Sequence, residues 1–96
     1  MSRSASYRFR LYVAGEAENS ARALVNLHAI CRDALPARHS IEVIDVFEEP
    51  SRALNDRIFM TPTLVKLAPG PMRTIVGTLS DANTVLSALG LGVPVR

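Results

Sequence analysis

Hydrophobic and polar residues alternate along residues 7–15, and hydrophobic residues then recur every three or four positions from residue 21 to residue 35. The alternation predicts strand one, which ends at Gly15, and the helical spacing predicts a helix with Ser20 as its N-cap and Pro36 after its end. Branched residues then fill both sides of Ser40–Phe47, a pattern typical of a strand covered on both faces. These segments predict a right-handed βαβ unit with parallel strands, the second of them interior in the sheet.

The second half of the chain predicts a short helix, a hairpin and a last helix. The segments are a helix from Pro50 to about Ile58, strand three over 63–67, strand four over 72–77 and a helix capped by Ser80 that runs to Leu89. Gly90 then supplies the residue that ends the last helix. The order βαβαββα predicts an α/β, thioredoxin-like fold, in which three helices surround a four-stranded mixed sheet.

A proline directly precedes strand three, in the segment Met60-Thr61-Pro62-Thr63. Proline cannot donate to a sheet ladder, so this strand begins at Thr63. An X-Pro bond takes the cis form at a cost of only about 0.5 to 1 kcal/mol. We therefore predict that Thr61–Pro62 is cis, and that Pro62 helps to determine the fold; an ordinary trans proline is the alternative.

Composition indicates one globular domain over residues 1–96, with residues 1–6 and 92–96 expected to fray. Hydrophobic residues make up 48% and charged residues 21% of the 96 residues. No apolar run approaches the roughly 20 residues that span a bilayer, and no secretory signal begins the chain, so we expect a cytoplasmic protein without a membrane partner. The net charge of +2 comes from scattered residues, which predicts no nucleic-acid partner.

The residues needed for common chemistries are missing from the sequence. Cys31 is the only cysteine, which excludes an internal disulfide and a C-x-x-C pair. The segment after strand one, where thioredoxin-like enzymes carry their thiols, reads Glu16-Ala17-Glu18-Asn19. There is no Gly-rich phosphate loop and no metal-ligand spacing. We therefore expect a binding module without catalytic residues, metal or cofactor, and keep a redox protein that uses Cys31 as the enzyme alternative.

Several short motifs, in order and almost without gaps over residues 7–91, resemble the KaiB family of circadian clock proteins. They are Leu11-Tyr12-Val13-Ala14-Gly15, Asn19-Ser20-Ala21-Arg22-Ala23-Leu24, Val43-Ile44-Asp45-Val46, Pro50, Ile58, Thr61-Pro62-Thr63-Leu64, Lys66, Pro69, Pro71 and Ile75-Val76-Gly77-Thr78-Leu79-Ser80-Asp81. The resemblance implies a non-enzymatic regulator of the KaiC ATPase within a phosphorylation oscillator, and KaiA as a second partner in cyanobacteria. A related domain opens the SasA sensor kinase.

The resemblance also implies which residues contact the partner. Its expected partner-binding residues are Ser40, Glu42 and Arg57, the second helix, and Lys66 and Arg22. Glu42 and Arg57 stand where the family commonly has lysine, and the family's acidic C-terminal tail is missing, which weakens the expectation of KaiA. Two alternatives stay open: a KaiB-like protein acting with a KaiC-like ATPase in stress responses without a full clock, and a structural homo-oligomer, either a dimer or a tetramer.

Members of this family also exist in a rearranged ground-state fold whose second half differs. The family often has glycine where this chain has Ala88, and alanine favours helix over glycine by about 0.5 to 1 kcal/mol. Gly90 and Gly92 weaken a strand in the same segment. Together with Gly77 and Pro62, Ala88 and Gly90 are therefore expected to determine the fold, and we predict that the thioredoxin-like form dominates.

Overall fold

The computed structural model describes residues 6–91, in which strands and helices follow the predicted order βαβαββα. The elements are β1 (Tyr7–Val13), α1 (Glu18–Ala34), β2 (His39–Asp45), α2 (Pro50–Asn55), β3 (Thr63–Ala68), β4 (Arg73–Val76) and α3 (Ala82–Ala88). The expected frayed ends, 1–6 and 92–96, lie outside the described residues apart from Ser6. The predicted α/β class, with a four-stranded mixed sheet and three helices, is confirmed.

The strands lie in the order β2-β1-β3-β4. β1 pairs with β2 in parallel, from Tyr7 opposite His39 to Val13 opposite Asp45, whereas β3 runs antiparallel to both β1 and β4. The prediction that strand two is interior is wrong, because β2 is an edge strand. Its branched residues do not all reach a core: Ile44 is buried, but Val43 on the other side of the strand is 43% exposed.

Two hydrophobic cores lie on opposite faces of the sheet. The larger core packs α1 and α3 against Phe9, Leu11 and Leu64. The smaller core packs α2, through Ala53, against a second set of sheet residues: Tyr12, Ile44 and Val65. Side chains alternate between the two faces along each strand, so neighbouring residues of one strand contribute to different cores.

The predicted N-caps are wrong by three residues at α1 and by one residue at α3. α1 begins at Glu18, and the Ser20 hydroxyl accepts a hydrogen bond from the amide of Ala14 at 3.1 Å, so Ser20 ties the preceding loop to the helix. At α3 the cap is Asp81, whose carboxylate accepts from the Thr84 amide at 3.2 Å. A carboxylate at this position also faces the positive end of the helix dipole.

Pro62 and Gly90 occupy the positions that the sequence indicated. The Thr61–Pro62 bond is cis, as predicted, and Pro62 is buried just ahead of β3. Gly90 follows α3 with φ 80°. Its amide donates to Ser87 and the amide of Leu91 donates to Leu86, which together form a Schellman motif.

Candidate functional site

The loops that leave β1 and β2 are joined at one end of the sheet. These strands are parallel, so both loops begin at the same edge. Asp45 connects them, because its Oδ1 accepts hydrogen bonds from the amides of Gly15 at 3.2 Å and Phe47 at 2.9 Å. Gly15 has φ 57°, a conformation that favours glycine. Asp45, which has no metal or charged partner in the sequence pattern, is thus held by backbone N–H groups.

These joined loops carry no thiol. The lone cysteine, Cys31, lies on the buried side of α1 with no exposed surface, and burial raises the pKa of its thiol to about 11. A protonated, inaccessible thiol is a poor nucleophile. Over residues 6–91 no three His, Cys, Asp or Glu side chains are grouped as a metal site. In the same part of the chain, no helix has the length and apolar character to cross a membrane.

An apolar cavity opens between the joined loops and the segment that precedes β3. We call it the strand-end cavity; its volume is about 180 Å³ and its lining residues are Ala14, Val46, Phe47, Ile58, Phe59, Met60 and Thr61. Phe47, Phe59 and Met60 are 74%, 83% and 61% exposed. This cavity therefore combines a concave apolar floor with aromatic and thioether side chains that project into solvent.

A cluster of charged groups lies on the α2 face of the sheet. This cluster, the Arg10 network, consists of Arg10, Tyr12, Glu42, Arg52 and Asp56. Arg10 donates to Glu42 at 3.1 Å and to Asp56 at 2.9 Å, and Arg52 lies 2.8 Å from the second oxygen of Glu42. The Tyr12 hydroxyl donates to Asp56. The network thus joins β1, β2 and α2, and the Tyr12 hydroxyl also lies within hydrogen-bond distance of the Arg52 carbonyl oxygen, at 3.3 Å.

The hydrogen bonds and charges of the Arg10 network favour the ionised form of its two carboxyl groups. The hydrogen bond from Tyr12, followed by that from Arg10, lowers the pKa of Asp56. Arg52 and then Arg10 lower the pKa of Glu42. Burial and the nearby Asp56 carboxylate raise the pKa of Tyr12 to about 12. Tyr12 is therefore a neutral donor over the whole physiological range.

Four of the five predicted partner-binding residues are exposed, and the structure places these four on two sides of the sheet. Ser40 and Glu42 are exposed on the α2 side of β2, and the exposed Arg57 directly follows the α2 segment with φ 59°. Arg22 is exposed on α1, on the opposite side of the sheet, where it pairs with Glu18 at 3.0 Å. Only the first three residues therefore belong to one surface.

Lys66 lies inside the protein instead of on a binding surface. Lys66 is 4% exposed, and its ammonium group donates a hydrogen bond at 3.2 Å to the carbonyl oxygen of Leu89, at the end of α3. The Tyr7 ring lies 5.9 Å from the ammonium nitrogen, within range of a cation–π contact. In this conformation Lys66 does not reach a partner, so we leave it out of the contact set below.

The residues expected to determine the fold lie around β3 and α3. Gly77, with φ 124°, donates its amide to the carbonyl oxygen of Pro62 at 3.0 Å. Ala88 is the last residue of α3 and Gly90 ends the Schellman motif after it. The helix over Ala82–Ala88 is the form expected of the thioredoxin-like alternative.

Sequence reasoning missed most of the Arg10 network and the exposed rim of the cavity. The alternation Arg8-Arg10-Tyr12 opposite Phe9 and Leu11 was a signal that one face of β1 carries polar groups. The pairing of Arg10 with Asp56 depends on a contact between residues 46 positions apart, which no local pattern indicates. Phe59 and Met60 were readable only as part of a loop.

Comparison with known proteins identifies the family. A family model described as KaiB domain matches residues 10–91. Circadian clock protein KaiB3 of Synechocystis sp. is 39% identical over 90 residues, covering 91% of this chain and 88% of the relative. The circadian clock oscillator protein KaiB of Prochlorococcus marinus is 44% identical over 91 residues, covering 95% and 80%.

Solved structures agree with the fold. The N-terminal domain of SasA from Synechococcus elongatus superposes with a TM-score of 0.76 at 23% identity, covering all of this chain and 94% of that one. The thioredoxin Deadhead from Drosophila melanogaster gives a TM-score of 0.71 at 13% identity, covering 92% and 82%. The fold is thioredoxin-like, and on the evidence of its sequence the chain belongs to the KaiB family of clock proteins.

Proposed function

We propose that this protein binds a KaiC-family ATPase and modulates its phosphorylation and ATPase cycle without catalysing a reaction itself. Membership of the KaiB family over residues 10–91 is the observation that carries the proposal. The sequence of the loop after β1 supports it, because Glu16-Ala17-Glu18-Asn19 stands where thioredoxin-like enzymes carry their thiols and contains no cysteine. The buried, protonated state of Cys31 argues in the same direction against a redox role.

The α2 side of the sheet is the surface that we propose for the ATPase. Ser40, Glu42 and Arg57 are exposed there, and Leu54 projects from α2 with 71% of its surface in solvent. The Arg10 network fixes α2 against β1 and β2, so these groups are presented on a preorganised surface. Preorganisation lowers the entropy cost of association. Arg22, on the other side, is proposed only as a second contact.

The test is complex formation with the KaiC-like protein of the same organism. The two proteins are mixed with ATP, ADP or a non-hydrolysable analogue and run on a size-exclusion column, and phosphorylation of the ATPase is followed over time. A shared peak in at least one nucleotide state and an altered phosphorylation course are expected. Absence of a complex in every nucleotide state contradicts the proposal.

Matched variants locate the contact. Arg57→Glu on the α2 side is expected to weaken the complex by about tenfold or more, because reversing one charge at an interface introduces repulsion. Arg32→Glu on α1, where the exposed Arg32 pairs with only its neighbour Asp33 among residues 6–91, is the control. Equal losses for both variants would place the contact elsewhere. A KaiA partner is not part of the proposal, since the departures at Glu42 and Arg57 weaken it.

A further inference from the structure

We propose that the strand-end cavity receives one apolar side chain of a partner protein, presented by a segment in which lysine or arginine flanks that side chain. The inference rests on the proposed function only for the idea that the ligand is a protein. It adds what the partner must present: an apolar residue for the cavity and cations for the loops around it.

The apolar half of the inference follows from the exposure of the rim. Phe59 and Met60 are adjacent in the chain, Phe47 lines the same cavity from the loop after β2, and all three are mostly in solvent. Contiguous exposed apolar groups around a concavity mark a recognition site, and aromatic residues and methionine are enriched at interfaces. Methionine also adapts its shape to different partners.

The size of the cavity restricts the occupant to a side chain. Small-molecule and cofactor pockets usually enclose roughly 300 to 1,000 Å³, whereas the strand-end cavity has about 180 Å³. A cavity of about 150 Å³ accepts a benzene ring. One aromatic or large aliphatic side chain therefore fills it, and a nucleotide or flavin does not.

The charges around the cavity specify the flanking residues. The two loops that frame it, 14–18 and 45–49, contain five carboxylates and no lysine or arginine, although the whole chain has a net charge of +2. Glu16 and Glu48 are exposed and have no ion pair within residues 6–91, while Glu18 and Glu49 pair with Arg22 and Arg52. A local negative field beside an apolar cavity favours a segment that carries cations.

Arg57 is the only basic residue in the third segment around the cavity, residues 56–62. The three segments together hold six carboxylates and one arginine, and arginines outside these segments pair with three of the carboxylates. Three remaining carboxylates against one cation leave the surroundings negative. This charge disfavours phosphate groups of nucleic acids and of anionic lipid headgroups as occupants. A basic and apolar protein segment is the partner that fits both the cavity and its rim.

Two peptides of opposite charge test the proposal on the full-length, 15N-labelled protein. The probes are Lys-Lys-Gly-Phe-Gly-Lys-Lys and Glu-Glu-Gly-Phe-Gly-Glu-Glu, titrated while amide shifts are recorded at low and high salt. The basic peptide is expected to shift the amides of Ala14, Phe47, Phe59 and Met60 and to bind about tenfold more tightly than the acidic peptide, with a difference that shrinks in high salt. Replacing the peptide's Phe by Gly is expected to abolish these shifts.

Two methionines give a matched pair of variants. Met60 lines the cavity, whereas Met72, 65% exposed, lies in the turn between β3 and β4 at the opposite end of β3. Met60→Ala is expected to lower the affinity for the basic peptide several-fold or more. Met72→Ala is expected to leave that affinity unchanged. Glu48→Gln is expected to lower the affinity for the basic peptide and to raise the affinity for the acidic peptide. These side chains are exposed, so the variants keep the native amide spectrum.

Three results would overturn the inference: equal binding of both peptides, shifts confined to residues outside the cavity, or no binding at all. The peptides contain no ATPase, so their result is independent of the size-exclusion test. If the ATPase complex forms and neither Met60→Ala nor Glu48→Gln weakens it, the inference fails and the proposed function stands. If the peptides bind as expected and the ATPase does not, the cavity serves a different basic partner.

Discussion

Lys66 shows how one buried cation serves the fold instead of a binding surface. Its ammonium donates to the carbonyl oxygen of Leu89 and faces the Tyr7 ring. The negative end of the α3 dipole lies at the same carbonyl groups, so a positive charge is favourable there. The family resemblance placed Lys66 among the partner-binding residues, but it does not show that the end of α3 covers this side chain.

Replacing Lys66 by glutamate is expected to destabilise the protein by about 3 to 5 kcal/mol, since the variant buries an unpaired carboxylate beside a carbonyl oxygen. Urea denaturation followed by circular dichroism measures the free energy of unfolding. Arg57→Glu, an exposed reversal, is the control and is expected to change that energy by less than about 0.5 kcal/mol. A Lys66→Glu variant as stable as the parent would contradict the burial of this side chain and make Lys66 a surface residue again.

Tyr12 and Asp56 link the stability of the protein to acid pH. The folded-state pKa of Asp56 lies below its ordinary value of 3.8. For a carboxyl group with a depressed pKa, the stabilisation is fully present above the unfolded pKa and is lost as the pH falls through the folded pKa. The free energy of unfolding is therefore expected to decline as the pH is lowered below about 4, and Glu42 adds to this decline because its pKa is lowered as well.

Tyr12→Phe tests this contribution. The substitution removes the hydroxyl that donates to Asp56 but keeps the ring in the core, and it is expected to cost about 1 to 2 kcal/mol at neutral pH. It also raises the pKa of Asp56, so the acid decline becomes smaller. Unfolding by urea at a series of pH values measures both effects. An unchanged slope in the variant would mean that other carboxyl groups cause the decline.

At the scale of elements, the end of α3 depends on the backbone of Gly90. Its φ of 80° lies in the left-handed region, and an added Cβ would meet no atom within 4 Å. The cost of an alanine there is therefore conformational instead of steric. Gly90→Ala is expected to destabilise the protein by about 1 to 2 kcal/mol.

Gly70 provides the matched control. It also has open space around its Cα, but its φ lies outside the left-handed region. Gly70→Ala is expected to change the free energy of unfolding by less than about 0.5 kcal/mol. Thermal and urea unfolding of both variants measure the difference. Equal effects at Gly70 and Gly90 would show that the Schellman motif does not fix the end of α3.

The helices and strands themselves were largely predictable from local patterns, but which strands lie next to one another in the sheet was not. The period of α1, the proline ahead of β3 and the glycine after α3 each act over a few residues, and their predictions were confirmed. The edge position of β2 was missed because branched residues at Ile41, Val43 and Ile44 have the composition of a central strand. β1 pairs with β2 on one side and with β3 on the other, which leaves β2 at the edge of the sheet. The pairing of β1 with β3 joins residues far apart in the chain, so the local pattern of β2 does not show it.

The candidate site was less predictable than the fold for the same reason. Ser40, Glu42 and Arg57 were placed on one surface by family resemblance. The Arg10 network and the strand-end cavity instead bring together residues from three separate segments of the chain. Asp56 pairs with Arg10 over a separation of 46 positions, and Phe47 and Phe59 line the same cavity from separate loops. Local periodicity carries no information about such contacts.

For the whole molecule, the family resemblance implies a second, rearranged form, and we predict that the second half of the chain favours the thioredoxin-like form over it. α3 contains Ala88 as its last residue, and the Schellman motif follows it. Side chains of β1 hold the α2 segment through Asp56, and buried Lys66 holds the end of α3, so both halves of the chain stabilise the same arrangement. We predict that the thioredoxin-like form dominates in solution.

Ala88→Gly is expected to move this balance. Glycine lowers the stability of the last turn of α3 by about 0.5 to 1 kcal/mol, a change of roughly two- to fivefold in a two-state ratio. In the parent protein, NMR is expected to show helical carbon shifts over Ala82–Ala88 and a single set of amide peaks. The Ala88→Gly variant is expected to show a second, minor set of amide peaks in slow exchange with the first. Ala82→Gly at the other end of α3, away from the Schellman motif, is the control and is expected to keep a single set. Strand-like shifts through residues 86–91 in the parent protein would contradict the prediction, because the same residues cannot end α3 and extend a sheet.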